Sequence, residues 1–129
     1  MRALIVDDSP TARAQARVAL DEAATNAGVF FDVDEADGGV EALRVLASCD
    51  VDLLIVDLHM PGVHGLEVLA FWHRRGGDAS RQAIVVSTQV SGRDKEKALE
   101  MGTVLFVEKP VSVTAIAAVV ASVAGRVKP

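Results

Sequence analysis

Leu53-Leu54-Ile55-Val56-Asp57 is an aliphatic run that ends in a carboxylate, and Met60-Pro61-Gly62 turns the chain just beyond it. Four aliphatic residues in a row show no alternation of polarity, so a strand made from them is covered on both faces, as in a parallel sheet. Three further runs repeat the pattern: Ala3-Leu4-Ile5-Val6, Ala83-Ile84-Val85-Val86 and Val104-Leu105-Phe106-Val107. A fifth, Phe30 to Ala36, carries Asp32, Asp34 and Glu35 among its apolar residues and reads as an edge strand.

Helical segments lie between the runs. Thr11 to Ala24 follows Ser9-Pro10, a cap residue and a helix-starting proline. Gly39 to Ala47 has Val40, Leu43 and Leu46 at helical spacing. Leu66 to Arg75 ends at Gly76-Gly77, Arg93 to Met101 stops at Gly102, and Val113 to Val127 is the last. Strand and helix alternate five times. That predicts one α/β domain over residues 1–129, a doubly wound parallel sheet with helices on both faces.

Composition bounds the function. Half of the residues are hydrophobic and few are aromatic, so the core is expected to be aliphatic. The net charge is −5 and no basic stripe is present, which argues against nucleic acid as a direct partner. Cys49 is the single cysteine; it reads as a small half-buried residue in a reducing compartment. A strand-like run begins at Ala3, where a signal peptide would lie, and the most apolar stretch, Val111 to Gly125, is short for a bilayer. The expectation is a cytoplasmic protein without membrane insertion.

In an open α/β sheet the site gathers at the carboxyl ends of the strands. The first strand is followed by Asp7-Asp8, the third ends in Asp57, the fourth in Ser87-Thr88, and the fifth in Glu108-Lys109-Pro110. Three carboxylates, a hydroxyl and an ammonium therefore converge on one edge. Clustered carboxylates repel, and a hard cation such as Mg²⁺ relieves that repulsion. Asp57 in such a cluster can act as a nucleophile and form an aspartyl phosphate. Mg²⁺ and Lys109 would neutralise the phosphoryl oxygens, and the Ser87 hydroxyl can donate to another. Taken singly, Asp8-Ser9-Pro10 is a helix cap, Ser87 a turn residue and Lys109 a solvated lysine. Only their joint placement at four strand ends carries the functional reading.

On these residues the chain resembles the receiver domain of two-component response regulators, over essentially its whole length. The resemblance implies a flavodoxin-like (βα)5 sheet with strand order 2-1-3-4-5. It implies a signalling switch and not an enzyme, catalysing only its own phosphorylation and dephosphorylation. Asp57 becomes the phosphoacceptor. Asp8 becomes a direct Mg²⁺ ligand, Asp7 acts directly or through water, and the backbone carbonyl of His59 completes the protein ligands. Mn²⁺ is expected to substitute. The Met60-Pro61-Gly62 turn and Gly65 also match the family pattern. Ser87 takes the place of the switching hydroxyl, Phe106 that of an aromatic switch residue, and Lys109-Pro110 that of the lysine and its proline, a bond usually cis in the family. The side chains of His59 and Gln89 stand where phosphate lifetime is tuned.

Two departures are visible. Thr88 replaces a smaller residue, and Phe106 lacks a hydroxyl, so any switch there works by packing. The implied partners are a sensor histidine kinase or phosphotransfer protein, and a downstream effector protein or domain. The last helix, with the fifth strand and fourth helix, is expected to form a self-association or partner face. On the last helix, Ile116, Val120 and Val123 are expected to face the sheet, leaving Ala115, Ala118 and Ser122 outward.

Competing readings fit less well. An aspartate-nucleophile, Mg²⁺-dependent phosphatase-type enzyme usually carries Asp-x-Asp after the first strand and a cap insertion. A flavin binder needs a hydroxyl- and glycine-rich phosphate loop, where this chain has Asp7-Asp8-Ser9-Pro10. His59, His64 and His73 match no common zinc spacing. Trp72 reads as a packing residue, and Arg93 to Glu100 as a solvated helix face.

Overall fold

The computed structural model describes residues 1–76, 80–87 and 92–127. Strands and helices alternate: β1 (Arg2–Val6), α1 (Pro10–Ala27), β2 (Asp32–Ala36), α2 (Gly39–Ser48), β3 (Leu53–Asp57), α3 (Gly65–Arg75), β4 (Gln82–Ser87), α4 (Gly92–Glu100), β5 (Thr103–Glu108) and α5 (Val113–Val127). The five strands form one sheet in the order β2-β1-β3-β4-β5, and every pairing is parallel. Strand order, fold class and helix count agree with expectation, and β2 is indeed an edge.

Alternate residues of the central strands feed two cores. Ala3, Ile5, Leu53, Ile55, Ile84 and Val86 pack on the side of α1 and α5, with Leu20, Ile116, Val120 and Val123. Leu4, Val6, Leu54, Val56, Ala83 and Val85 pack on the side of α2 and α3, with Leu46, Val68, Leu69 and Trp72. Because β3 lies in the middle and is covered on both faces, all five of its residues are buried, Asp57 included. Trp72 is a packing residue whose indole N–H donates to the Val51 carbonyl at 3.0 Å.

Local chemistry explains the helix ends. Ser9 caps α1, its Oγ accepting from the Ala12 N–H at 3.2 Å, and Pro10 follows at the first helical position. Gly28 ends that helix at φ 71°, a left-handed cap that a side chain would strain. The α4 segment carries one buried residue, Ala98, so it is the solvated helix expected. Among the described residues no helix is long and apolar enough to cross a membrane.

Three details depart from expectation. On α2, Val40 is 60% exposed; Gly39, Ala42 and Leu46 form the buried stripe instead. On α5, Ala115 packs against the core and Ser122 is half-buried, its Oγ accepting from Gln82 Nε2 at 2.9 Å, so neither belongs to the outer face. Ala118 is exposed as expected. Finally, β5 is the second sheet edge, and Val104 is 51% exposed despite its aliphatic run.

Candidate functional site

The site is assembled from the residues that leave the carboxyl ends of the strands. β1 runs straight into Asp7 and Asp8, β3 ends on Asp57, β4 ends on Ser87, and Lys109 follows β5. One carboxylate oxygen from each of Asp7, Asp8 and Asp57 lies within 4.8 Å of the others. Asp7 and Asp57 are buried, Asp57 to 3% exposure, while Asp8 faces solvent.

Lys109 reaches into this cluster from the far side of the sheet. Its Nζ lies 2.9 Å from Asp7 Oδ2 and 3.1 Å from Asp57 Oδ2. The peptide that joins it to Pro110 is cis. Burial opposes the Lys109 ammonium, but hydrogen bonds and charge from Asp7 and Asp57 outweigh it, so its pKa is raised. The remaining oxygens have backbone donors. Asp57 Oδ1 accepts from the His59 N–H at 3.0 Å, and Asp7 Oδ1 from the Ser9 N–H at 2.9 Å.

Gly65 sets how closely α3 approaches Asp57. A Cβ at this position would run into the Asp57 carbonyl oxygen and lie 2.6 Å from Leu58 Cα. Its N–H donates to the Leu58 carbonyl at 3.2 Å, so the β3–α3 turn closes tightly behind Asp57. His64 caps α3, its Nδ1 accepting from the Leu66 N–H at 3.1 Å. The His59 and His64 rings meet edge to face at 6.1 Å.

Ser87 is buried on β4, one residue beyond Val86, which pairs with Asp57. Phe106 is half-buried on β5, opposite Val85, with the Lys95 ammonium 5.4 Å from its ring centre. Thr88 and Gln89 lie outside the described residues. The gap framed by Asp7, Asp57 and Lys109 against α1 holds only about 10 Å³, while Asp8 and His59 are exposed. Three oxygen donors of like charge, two of them buried, fit a hard divalent cation better than a soft one. Among the described residues, no histidine or cysteine joins such a group.

One contributor went unread in the sequence. Arg13 on α1 donates from Nη1 to the Asp7 carbonyl at 2.7 Å, and its Nε lies 3.4 Å from Glu35 Oε1 on β2.

Residues 3–121 match the model of the family described as response regulator receiver domain. The transcriptional regulatory protein PhoP of Escherichia coli K12 is 32% identical over 110 residues, 85% of this chain and 46% of PhoP. The protein-glutamate methylesterase/protein-glutamine glutaminase 3 of Hahella chejuensis is 35% identical over 113 residues, 85% of this chain and 30% of that protein. The chain therefore spans less than half the length of these two relatives. A solved structure of a response regulator receiver protein from Pseudomonas putida has a TM-score of 0.70 at 28% identity, covering 92% of this chain and 93% of that one.

Proposed function

The chain belongs to the response regulator receiver domain family, the phospho-accepting signalling domains of two-component systems, and from that premise we propose that Asp57 is the residue phosphorylated. The observation that carries this reading is the Lys109 bridge. One ammonium holds two buried carboxylates beside a third exposed one, at the carboxyl edge of a parallel sheet. Residues 1–129 are read as this single domain.

The donor is a sensor histidine kinase or a phosphotransfer protein. An Asp57 carboxylate oxygen attacks phosphorus; the new O–P bond forms as the donor's P–N bond breaks, and the donor imidazole leaves with the electron pair. A carboxylate nucleophile carries no proton, so no general base is required. Lys109 slides from the carboxylate onto a phosphoryl oxygen, and the Ser87 hydroxyl donates to another. Asp7, Asp8, Asp57 and the His59 backbone carbonyl hold Mg²⁺, which supplies positive charge to the transferring group; Mn²⁺ substitutes. By the family resemblance, His59 and Gln89 are assigned the tuning of the phosphoryl group's lifetime.

The output is a change of partner. Ser87 is drawn towards the phosphoryl oxygens, and Phe106 turns into the space it leaves, a two-state packing biased by local charge. The face of α4, β5 and α5 then meets an effector protein or domain, or a second copy of the chain. Leu99 and Val104 are exposed apolar residues on that face. No reaction beyond self-phosphorylation and dephosphorylation is assigned, and no residue is assigned to nucleic acid. A reducing cytoplasm suits the unpaired, half-buried Cys49.

Incubation with a small-molecule phosphodonor tests the metal requirement. Labelling is expected with Mg²⁺ or Mn²⁺ and is expected to stop when a chelator is added. Labelling that proceeds equally well in chelator contradicts the reading.

A further inference from the structure

We propose that Arg13 is a positioning residue for the divalent-cation site, acting through the Asp7–Asp8 peptide; the inference rests on the metal-dependent reading above. Arg13 lies in the first turn of α1, where a cation opposes the helix dipole and no acid of that turn offsets it. Its placement is set by two other contacts. The 2.7 Å bond to the Asp7 carbonyl has the length of a charge-assisted donor. On the outer side, Glu35 Oε1 lies 3.4 Å from its Nε, and Arg17 holds the other Glu35 oxygen at 3.2 Å. Only 18% of the Arg13 side chain is exposed. Arg13 thus braces the turn after β1 against the end of β2.

The brace acts on Asp8. A peptide unit is planar, so holding the Asp7 carbonyl also holds the Asp8 N–H and the direction in which Asp8 leaves. Every other polar atom of Asp7 is already engaged. Its N–H donates to the Ala36 carbonyl at 3.1 Å, Oδ1 accepts from Ser9 and Oδ2 pairs with Lys109. Asp8, the exposed acid of the cluster, takes its starting point from this fixed frame.

Charge and placement pull in opposite directions here, which makes the role testable by sign. A guanidinium near the cluster repels a dication, so if charge were its whole effect, neutralising it would tighten metal binding. If it acts as a brace, neutralising it loosens metal binding. Arg13→Met keeps the apolar stem and removes both donors and charge. Mg²⁺ titration calorimetry on the full chain, with thermal unfolding in parallel, reads the difference. The Kd for Mg²⁺ is expected to rise about tenfold, the scale seen when a group that orients a metal ligand is removed. The Asp8 amide is expected to exchange faster in metal-free protein. The Mg²⁺ concentration for half-maximal labelling rises with the Kd, while the maximal rate falls far less. Arg13→Lys, which keeps the charge and one donor, recovers part of the affinity. A folded Arg13→Met protein that binds Mg²⁺ as tightly as wild type, or more tightly, overturns the proposal. If that variant does not fold, Glu35→Gln slackens the outer anchor and leaves the Arg13 charge in place; unchanged affinity then overturns it. A wild type that binds no Mg²⁺ ends the reading of the site and this inference with it.

Discussion

Lys109 sits between two opposing effects, and the carboxylates win. Burial disfavours its ammonium, but Asp7 and Asp57 raise its pKa above 10.5. A folded-state pKa above the unfolded one gives stability that is complete below the unfolded value and lost as pH climbs through the folded value. Lys109→Met is therefore expected to lower the unfolding free energy by about 2 kcal/mol at neutral pH. The gap should hold up to about pH 10 and close above it. Denaturant unfolding of both proteins from neutral to alkaline pH checks this; a gap already closing at about pH 8 contradicts it. Asp7, Asp8, Asp57, Ser87 and Lys109 were legible because a parallel sheet sends all its strand ends to one edge. Position just after a strand is then spatial information. Arg13 was not legible in that way, since it reaches from the helix back over six residues to a backbone carbonyl. Its one trace in the sequence is a cation in a helix's first turn, shortly after two acids.

Among the elements, α2 shows how an apolar pattern misleads. Val40, Leu43 and Leu46 have helical spacing, yet the helix is turned so that Gly39 and Ala42 face inward. Close packing is the reason: a Cβ on Gly39 would collide with the Val63 side chain, so only a residue without one lets the helix lie there. Small buried residues leave a weak mark in a sequence. Leu46→Ala is expected to cost about 2–4 kcal/mol, because Leu46 is fully buried and its loss leaves a cavity. Val40→Ala should stay within about 0.5 kcal/mol. Denaturant midpoints of the two variants decide the orientation; equal losses would contradict it. β5 carries a similar lesson. Its aliphatic run matches those of the central strands, and its exposure comes from strand order, which the run itself does not encode.

For the molecule as a whole, the question is how a change at Asp57 reaches the surface. Ser87 on β4 and Phe106 on β5 lie on neighbouring strands, and Phe106 lies beneath Lys95 of α4. Free and phosphate-mimic-bound structures are expected to show different Phe106 rotamers. Ala118→Glu or Ala118→Arg, on the outer face of α5, should weaken association of the activated protein without reducing its phosphorylation. Sedimentation with and without phosphodonor reads the second effect. A single Phe106 rotamer, together with a wild type that stays monomeric and a variant that keeps its output partner, would contradict this route. All of it depends on Asp57 being the acceptor, and intact-mass measurement tests that most directly. Wild type and Asp57→Ala are incubated with Mg²⁺ and a small phosphodonor, then weighed. One added phosphoryl group on wild type and none on Asp57→Ala is the expected result; equal labelling of the two contradicts the assignment.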